Sequence, residues 1–243
     1  MKKLFVLLGL VAGFSQTAAA ADFTALGLLT PAQFRALSED FGAALSYKSL
    51  QPAEPLGITG FDIGIEVTST DISKSAAVLK QATSNAVDVT RLYIPKLHVA
   101  KGLPFGIDLA ASYSSVPSTD IKLIGAEIRY AIIGGNIALP AVAVRAAFTK
   151  MSGVKELDFN TKSLDISISK GFLMFTPYAG VGQVFVTSTP QGTASAAGLK
   201  EESFTQSKVF VGANINLGLM NFALEGDTTG GANSYSFKFG FRW

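Results

Sequence analysis

His98 is the only histidine of this 243-residue chain, so it is the first candidate for chemistry. An imidazole paired with a carboxylate or a serine can act as a general base, and a catalytic role for His98 with a distant serine is one interpretation. The other is a non-catalytic histidine, either bonded to a nearby carboxylate or simply located at an interface. Cysteine is absent, which excludes disulfides, thiolate metal sites and cysteine nucleophiles.

The spacing of the other polar residues favours neither a metal site nor a nucleotide site. Without cysteine, carboxylate sites of the calcium type remain, but Asp62 and Glu66 belong to no loop with a calcium-binding spacing. The glycines recur at period two and form no phosphate-binding loop. We therefore expect no metal ion and no cofactor, and we expect Asp62 and Glu66 to form ion pairs with Arg129 or Arg145.

Alternating segments fill the chain from residue 57 to residue 243. Apolar residues at every second position predict strands with one apolar face, as in the sequence from Ile124 to Tyr130. Short connections alternate with longer, more polar ones, such as those at 69–88 and 187–205. This rhythm predicts an all-β fold: a closed, antiparallel, up-and-down transmembrane barrel of about ten strands, with eight to twelve possible.

Composition and charge agree with a membrane barrel. Mean hydropathy is +0.35, yet the longest apolar stretch, at 131–144, is interrupted by Gly134, Gly135 and Pro140. Loss of an exported leader would remove Lys2 and Lys3 from the 20 basic residues, which leaves 18 against 18 acidic residues. We therefore expect no nucleic-acid partner.

The first 56 residues divide into two parts. Residues 1–21 predict a secretory signal peptide, with a basic start, an apolar run and small residues at 18–21, although a membrane anchor helix is the alternative. In residues 22–56, Thr30, Pro31 and Gln33 predict the N-cap, first turn and capping box of a helix that runs to about Gly42.

One face of that predicted helix is apolar. Phe34, Leu37 and Phe41 share it, so the helix needs a surface against which to bury them. We expect it to form a plug in the lumen or a periplasmic cap. The alternative is an amphipathic helix lying on the inner lipid interface.

The inward faces of the predicted strands carry small residues and charges of both signs. Such a mixture favours mutual ion pairing over strong ion selectivity. The predicted charge network of the lumen consists of Asp62, Glu66, Asp108, Glu127, Arg129, Arg145, Asp165, Lys208, Glu225, Lys238 and Arg242.

The last strand carries a run of alternating aromatic residues: Tyr235, Phe237, Phe239, Phe241 and Trp243. With the leader and the alternating strands, it resembles the small outer-membrane β-barrel proteins of Gram-negative bacteria, over residues 57–243. The resemblance implies location in the cell outer membrane and contact with its lipid and lipopolysaccharide. It also implies that these aromatic residues are an assembly signal for the barrel assembly machinery. It selects no subfamily.

Three functional hypotheses follow. The first is a non-enzymatic monomeric barrel that is structural or passes a small solute through a narrow, plugged lumen. The second is a surface receptor that binds its partner through the outer loops at 69–88 and 187–205. The third is a lipid-modifying or proteolytic barrel enzyme, in which His98 would be the candidate catalytic residue.

Overall fold

The computed structural model describes residues 23–115 and 120–243, so the predicted signal peptide lies outside the described residues. The helices are α1 Pro31–Leu45, α2 Ala76–Ala82 and α3 Gly192–Ala196, with short 3-10 turns at Leu26–Leu28 and Pro104–Gly106. The strands are β1 Phe61–Asp71, β2 Arg91–Gly102, β3 Ile107–Ser115, β4 Lys122–Gly134, β5 Ala141–Ser152, β6 Leu157–Ser169, β7 Phe175–Pro190, β8 Glu202–Leu217, β9 Met220–Thr229 and β10 Ala232–Arg242.

The ten strands form one closed barrel in which every strand pairs antiparallel with its neighbours in sequence. The first and last strands close it, in register from Asp62 opposite Arg242 to Thr70 opposite Ser234. Closure leaves no free strand edge, as lipid requires of a spanning sheet. The predicted closed barrel of about ten strands is confirmed, although β1 begins at Phe61, four residues after the predicted boundary.

The two ends of the barrel differ in their connections. At one end, called the turn end, short segments join β2 to β3, β4 to β5, β6 to β7 and β8 to β9. At the other, called the loop end, the first and fourth connections are longer and contain α2 and α3. The predicted alternation of short and long connections therefore holds only in part, because Gly230 and Gly231 alone join β9 to β10 and residues 153–156 join β5 to β6. The first and fourth connections nevertheless distinguish the loop end from the turn end.

Side chains alternate between the two faces of the wall, because successive residues of a strand point to opposite sides. On β4, Ile124, Ile128 and Tyr130 are exposed on the outside, whereas Glu127 and Arg129 are buried inside. The outer wall is thus apolar and suited to lipid, and the inner wall is polar. None of the described helices has the length and hydropathy needed to cross a bilayer.

Helix α1 begins where the sequence predicts, because Thr30 and Gln33 form both halves of a capping box and Pro31 occupies the first turn. The predicted end at Gly42 is wrong, since the helix continues to Leu45. A Cβ atom at Gly42 would lie 2.5 Å from Oε1 of Gln206, so this glycine permits close contact with the wall.

The apolar face of α1 is buried inside the barrel at the loop end. Phe34, Leu37 and Phe41 lie in one cluster with residues of the loops and wall, and the Phe41 ring packs edge-on against Phe159, with ring centroids 6.1 Å apart. This position rules out the helix on the lipid interface. It also rules out a cap over the short turns, which lie at the opposite end of the barrel.

Candidate functional site

The N-terminal segment passes through the lumen from one end of the barrel to the other. We call residues 23–56 the luminal segment. It starts at the loop end, where the N–H of Ala25 donates to the carbonyl of Ala82 over 3.0 Å. Helix α1 follows, and an extended stretch from residue 46 leads to the turn end, where Gly57 packs against Gly102.

Polar contacts fix α1 to its surroundings in the loop-end half of the lumen. The hydroxyl of Ser38 donates to that of Ser188 over 2.9 Å, and the Gln206 amide donates to the Glu39 carbonyl over 3.0 Å. The carboxylate of Asp40 accepts bonds from the backbone and hydroxyl of Ser75, at 2.9 and 2.7 Å. The helix therefore contacts both the wall and the first loop.

Lysine side chains hold the luminal segment where α1 ends. The ammonium group of Lys48 lies 2.8 Å from the Asp227 carboxylate. Two wall lysines bond to backbone carbonyls of the segment: Lys208 to Tyr47 over 3.1 Å and Lys96 to Lys48 over 2.5 Å. The wall therefore supplies charges of both signs at this level: its carboxylate pairs with a lysine of the segment, and its two lysines bond to backbone carbonyls of the segment.

Further contacts follow toward the turn end. Ser49 donates to Glu127 over 3.1 Å. Arg129 donates to the carbonyl of Pro52 over 2.8 Å, and the N–H of Leu56 donates to Asp108 over 3.1 Å. The extended stretch, which has no helical hydrogen bonds of its own, thus bonds to charged side chains of the wall.

All eleven charged residues predicted for the lumen lie on the inner wall, and ten of them are buried, with Arg242 partly exposed. Arg145 donates to Asp165 over 2.6 and 3.0 Å, and the ammonium group of Lys208 lies 3.6 Å from the same carboxylate. The guanidinium of Arg145 and the ammonium of Lys208 each lie 5.1 Å from the centre of the Phe210 ring. The two cations share one carboxylate and one ring.

Asp62 and Glu66 form ion pairs, but their partners differ from the expected ones. Lys238 donates to Asp62 over 2.7 Å, and Lys96 lies 2.8 Å from Glu66, whereas Arg129 donates to Asp108 over 2.6 Å. The expectation of Arg129 or Arg145 as partners is therefore wrong. The strand register decides this, because β1 lies between β2 and β10 and carries its acids next to lysines of those strands.

His98 lies between the two carboxylates of β1. Its Nδ1 is 3.9 Å from Asp62 and 3.6 Å from Glu66, and neither ring nitrogen makes a hydrogen bond within the described residues. The side chain is buried in the inner wall. In the described part of the chain, no group of three or more histidine, aspartate and glutamate side chains is placed to hold a metal ion.

Small residues in the wall make room for aromatic rings in the lumen. A Cβ atom at Gly125 would lie 2.8 Å from the Tyr47 ring, and one at Gly212 would meet the ring of Tyr178. Tyr178 in turn donates to Glu225 over 3.0 Å. A cavity of about 30 Å³ beside Tyr47 is large enough for a water molecule.

Sequence reasoning missed several residues of this site. Lys96 and Asp227 each lie two positions from a residue whose side chain is buried in the inner wall, His98 and Glu225, so period two is the available signal. Lys48 has no such signal, because it lies in an extended stretch without a repeating pattern. Tyr178 shares its period-two face with Gly180 and Gly182, but its role in filling the lumen follows only from the fold.

The aromatic residues of β10 lie on the outer wall. Phe241 and Trp243 are about half exposed, and Trp243 stacks on Phe61 with ring centroids 5.3 Å apart. Tyr235, Phe237 and Phe239 line the same face. The face is accessible from the side of the barrel, and its use as an assembly signal stays a prediction.

No protein-family model and no curated protein matches this chain. Among solved structures, a KdgM porin matches with a TM-score of 0.37 and 8% identity, over 74% of this chain and 99% of that one. The translocator domain of the autotransporter NalP from Neisseria meningitidis matches with 0.41 and 11%, over 83% and 91%. The outer membrane protein OprG from Pseudomonas aeruginosa matches with 0.34 and 10%, over 79% and 98%.

These similar structures are outer-membrane β-barrels, and this chain is itself a closed barrel of ten strands, with no subfamily identified. Identities and TM-scores this low do not assign a specific activity to this chain. The site is therefore defined by its own geometry: a charged lumen occupied along its length by the luminal segment.

Proposed function

We propose that this chain is a non-enzymatic outer-membrane barrel whose lumen is closed by its own luminal segment. In this state it is a structural element of the envelope, and a small solute passes only when the segment is displaced. The observation that carries the proposal is the series of contacts from Ala25 to Leu56, which joins the segment to the wall or loops at each level of the lumen.

The energetics favour the closed state. Burial of Phe34, Leu37 and Phe41 contributes about 1.5 to 3 kcal/mol for each side chain, so withdrawal of α1 would cost at least about 4.5 kcal/mol. Because each 1.4 kcal/mol is about a tenfold change in population, an open barrel is expected in fewer than about one molecule in a thousand. Transport would therefore need a trigger that displaces the segment.

The surroundings of His98 support a non-enzymatic role. The ring is buried on the inner wall of the lumen that the luminal segment occupies, in a cluster of charged wall residues. A substrate at His98 would have to displace the segment first. We expect His98→Ala to leave any hydrolytic activity of the purified protein unchanged, and loss of such an activity would revive the enzyme hypothesis.

The partners follow from the surfaces. We propose that the apolar outer wall contacts outer-membrane lipid and lipopolysaccharide, and that the aromatic face of β10 meets the barrel assembly machinery. We also propose that the protein acts as a monomer, because closure of β1 on β10 leaves no strand edge with which a second copy could pair.

A disulfide between α1 and the wall tests the proposal in the full-length chain. The hydroxyl oxygens of Ser38 and Ser188 are 2.9 Å apart, and the chain has no cysteine, so a disulfide can form only between introduced cysteines. We expect the native protein to be closed in planar bilayers. We expect rare openings in reduced Ser38→Cys/Ser188→Cys to cease on oxidation.

Ser38→Cys alone is the matched control, since it cannot form the bond. Openings that continue in the oxidised double variant would show that the conducting path does not depend on α1. A native protein that conducts steadily would contradict the closed state itself.

A cleft at the loop end favours the receptor hypothesis as a second candidate. It has a volume of about 430 Å³ and is lined by Arg35, Glu39, Phe204 and Gln206, a size that accommodates a small ligand. The Arg35 guanidinium lies 3.9 Å above the Phe204 ring. Ligand-detected NMR should identify small-molecule fragments that bind the native protein and no longer bind Phe204→Ala. If every fragment still binds this variant, the cleft is excluded as the binding site.

A further inference from the structure

The apolar band of the outer wall has a polar border at the loop end. On β8, Ser203, Thr205 and Ser207 face outward at that end, and Val209 begins an apolar run that continues to Leu217. Lys122, Lys150 and Lys162 are exposed at the corresponding level of other strands. Toward the turn end the apolar surface continues into the turns.

The tips of all four turns carry large, exposed apolar side chains. Phe105, Ile137, Leu173 and Leu219 occupy one turn each, with exposures of 90%, 100%, 105% and 62%. Phe105 and Leu173 have positive φ angles, of 63° and 55°, in a backbone region that favours glycine. A turn made for water would place a small or polar residue there.

In the turn between β4 and β5, side chains form hydrogen bonds with the backbone N–H and carbonyl groups. The ammonium group of Lys170 donates to the carbonyls of Asn136, Ile137 and Leu139 at 2.8, 2.6 and 3.3 Å. The Asn136 amide oxygen accepts the N–H groups of Ala138 and Leu139 at 2.8 and 2.9 Å.

A second lysine and a pair of backbone bonds do the same elsewhere at the turn end. Lys101 donates to the carbonyl of Ile58, and to that of Gly60 over 3.3 Å. Phe172 and Phe175 exchange backbone bonds of 2.7 and 3.0 Å across their turn. Water would satisfy such groups in an aqueous turn, whereas lipid offers no partner and requires internal ones.

The height of the apolar part of the wall is a further sign that the turn end contacts lipid. The outward apolar residues of β8, from Val209 to Leu217, span eight residue steps, or about 20 Å of height at ~3.3 Å per residue and a tilt of ~40°. A transmembrane barrel needs an apolar band about 25 Å tall. The turn tips supply the missing height.

We propose that the turn end is embedded in the membrane, with its four turn tips among the phospholipid acyl chains of the leaflet on that side. This apolar surface is continuous with the lipid-facing wall, so lipid is the partner that fits it. The polar loop end then stands clear of the bilayer, whether or not the lumen ever opens.

Tryptophan fluorescence in phosphatidylcholine vesicles tests this placement, because Trp243 is the single tryptophan of the chain and is half exposed at the turn end. Acyl chains brominated at defined depths quench a buried tryptophan, and iodide on both sides of the vesicle quenches one in water. We expect bromolipid to quench Trp243 in the unmodified protein and iodide to have little effect. Quenching of Trp243 by iodide as strong as that of free tryptophan would overturn the proposal.

Two variants in a Trp243→Phe background make the test specific to the turn tips. Leu173→Trp places the probe at a tip, and Ser152→Trp places it at an exposed position of the loop end. We expect at least threefold stronger iodide quenching of Ser152→Trp than of Leu173→Trp, and the reverse order with bromolipid. Equal iodide quenching would mean that the turns protrude into water and that their apolar tips serve a protein partner instead.

Discussion

The ammonium group of Lys48 lies 2.8 Å from the carboxylate of Asp227, and each side chain is only 1% exposed. The two residues are separated by 179 positions in sequence. The pair joins the luminal segment to β9, and Thr229 donates a further bond to the same carboxylate over 2.9 Å. A buried ion pair therefore anchors the segment, and each of its two charges is stabilised by the other.

Lys48→Met tests that dependence. It leaves the Asp227 carboxylate buried without its cation, so we expect a loss of about 3 to 5 kcal/mol in the free energy of unfolding. Urea titration of the protein in vesicles, followed by Trp243 fluorescence, measures this loss. Lys80→Met is the matched control, because the Lys80–Asp88 pair is exposed at 41% and 69% and should contribute less than about 1 kcal/mol.

Equal losses in the two lysine variants would contradict an anchoring role for Lys48. The double variant Lys48→Met/Asp227→Leu should recover part of the lost stability, because it removes the unpaired charge as well.

Gly125 tests how closely the luminal segment contacts the wall. A Cβ atom there would lie 2.8 Å from the Tyr47 ring and 2.5 Å from the Ser112 hydroxyl. We expect Gly125→Ala to lower the free energy of unfolding by about 1 to 3 kcal/mol through overpacking. Gly134→Ala is the control, because no atom lies within 4 Å of its added methyl group. Stability that is unchanged in both variants would mean that Tyr47 can move away freely.

Phe41 tests the apolar attachment of α1. Its ring packs edge-on against Phe23 and Phe159, with centroids 5.9 and 6.1 Å away. Phe41→Ala should cost about 3 to 5 kcal/mol and should speed hydrogen exchange of the α1 backbone. Leu28→Ala, at a side chain that is 74% exposed, should change neither quantity. Unchanged exchange in Phe41→Ala would show that the helix is held by its polar contacts alone.

The position of Phe23 predicts at which end of the barrel the luminal segment begins. Because Phe23 is buried in the loop-end cluster, an epitope inserted directly before it should be accessible at the loop end. We expect antibodies to label intact cells that carry this epitope, as they label cells with the same epitope between Gly230 and Gly231. Labelling only after the outer membrane is permeabilised would contradict the threaded path, provided that the second epitope labels intact cells.

Glu156 gives a pH-dependent contact at the loop end. The Thr193 hydroxyl, at 2.8 Å, and the N–H of Ala194, at 3.2 Å, bond to its carboxylate and lower the pKa of Glu156 below the ordinary value. These bonds to α3 are therefore fully present above the ordinary glutamate pKa and are lost as the pH falls through the lowered one. Carbon NMR titration should show the lowered pKa in the native protein and a return toward the ordinary value in Thr193→Val. An identical titration in both proteins would exclude the hydroxyl as the cause.

The local pattern of residues determined much of this architecture. Period-two alternation assigned Glu127 and Arg129 to the inside and Ile128 to the outside, because neighbouring residues of a strand point to opposite faces. Thr30, Pro31 and Gln33 determined where α1 begins, because a capping box uses only bonds within one turn. Both results depend on interactions between residues close in sequence.

The tertiary structure alone decided which residues meet inside the barrel. Any inward acid could pair with any inward base, and the strand register then brought Lys238 to Asp62 and Arg129 to Asp108. It also decided that α1 continues past Gly42, where a wall residue and not a helix stop requires glycine. The passage of residues 23–56 through the lumen follows from barrel closure, because only a closed wall offers the segment partners on every side. Such contacts join residues far apart in sequence, and no local pattern records them.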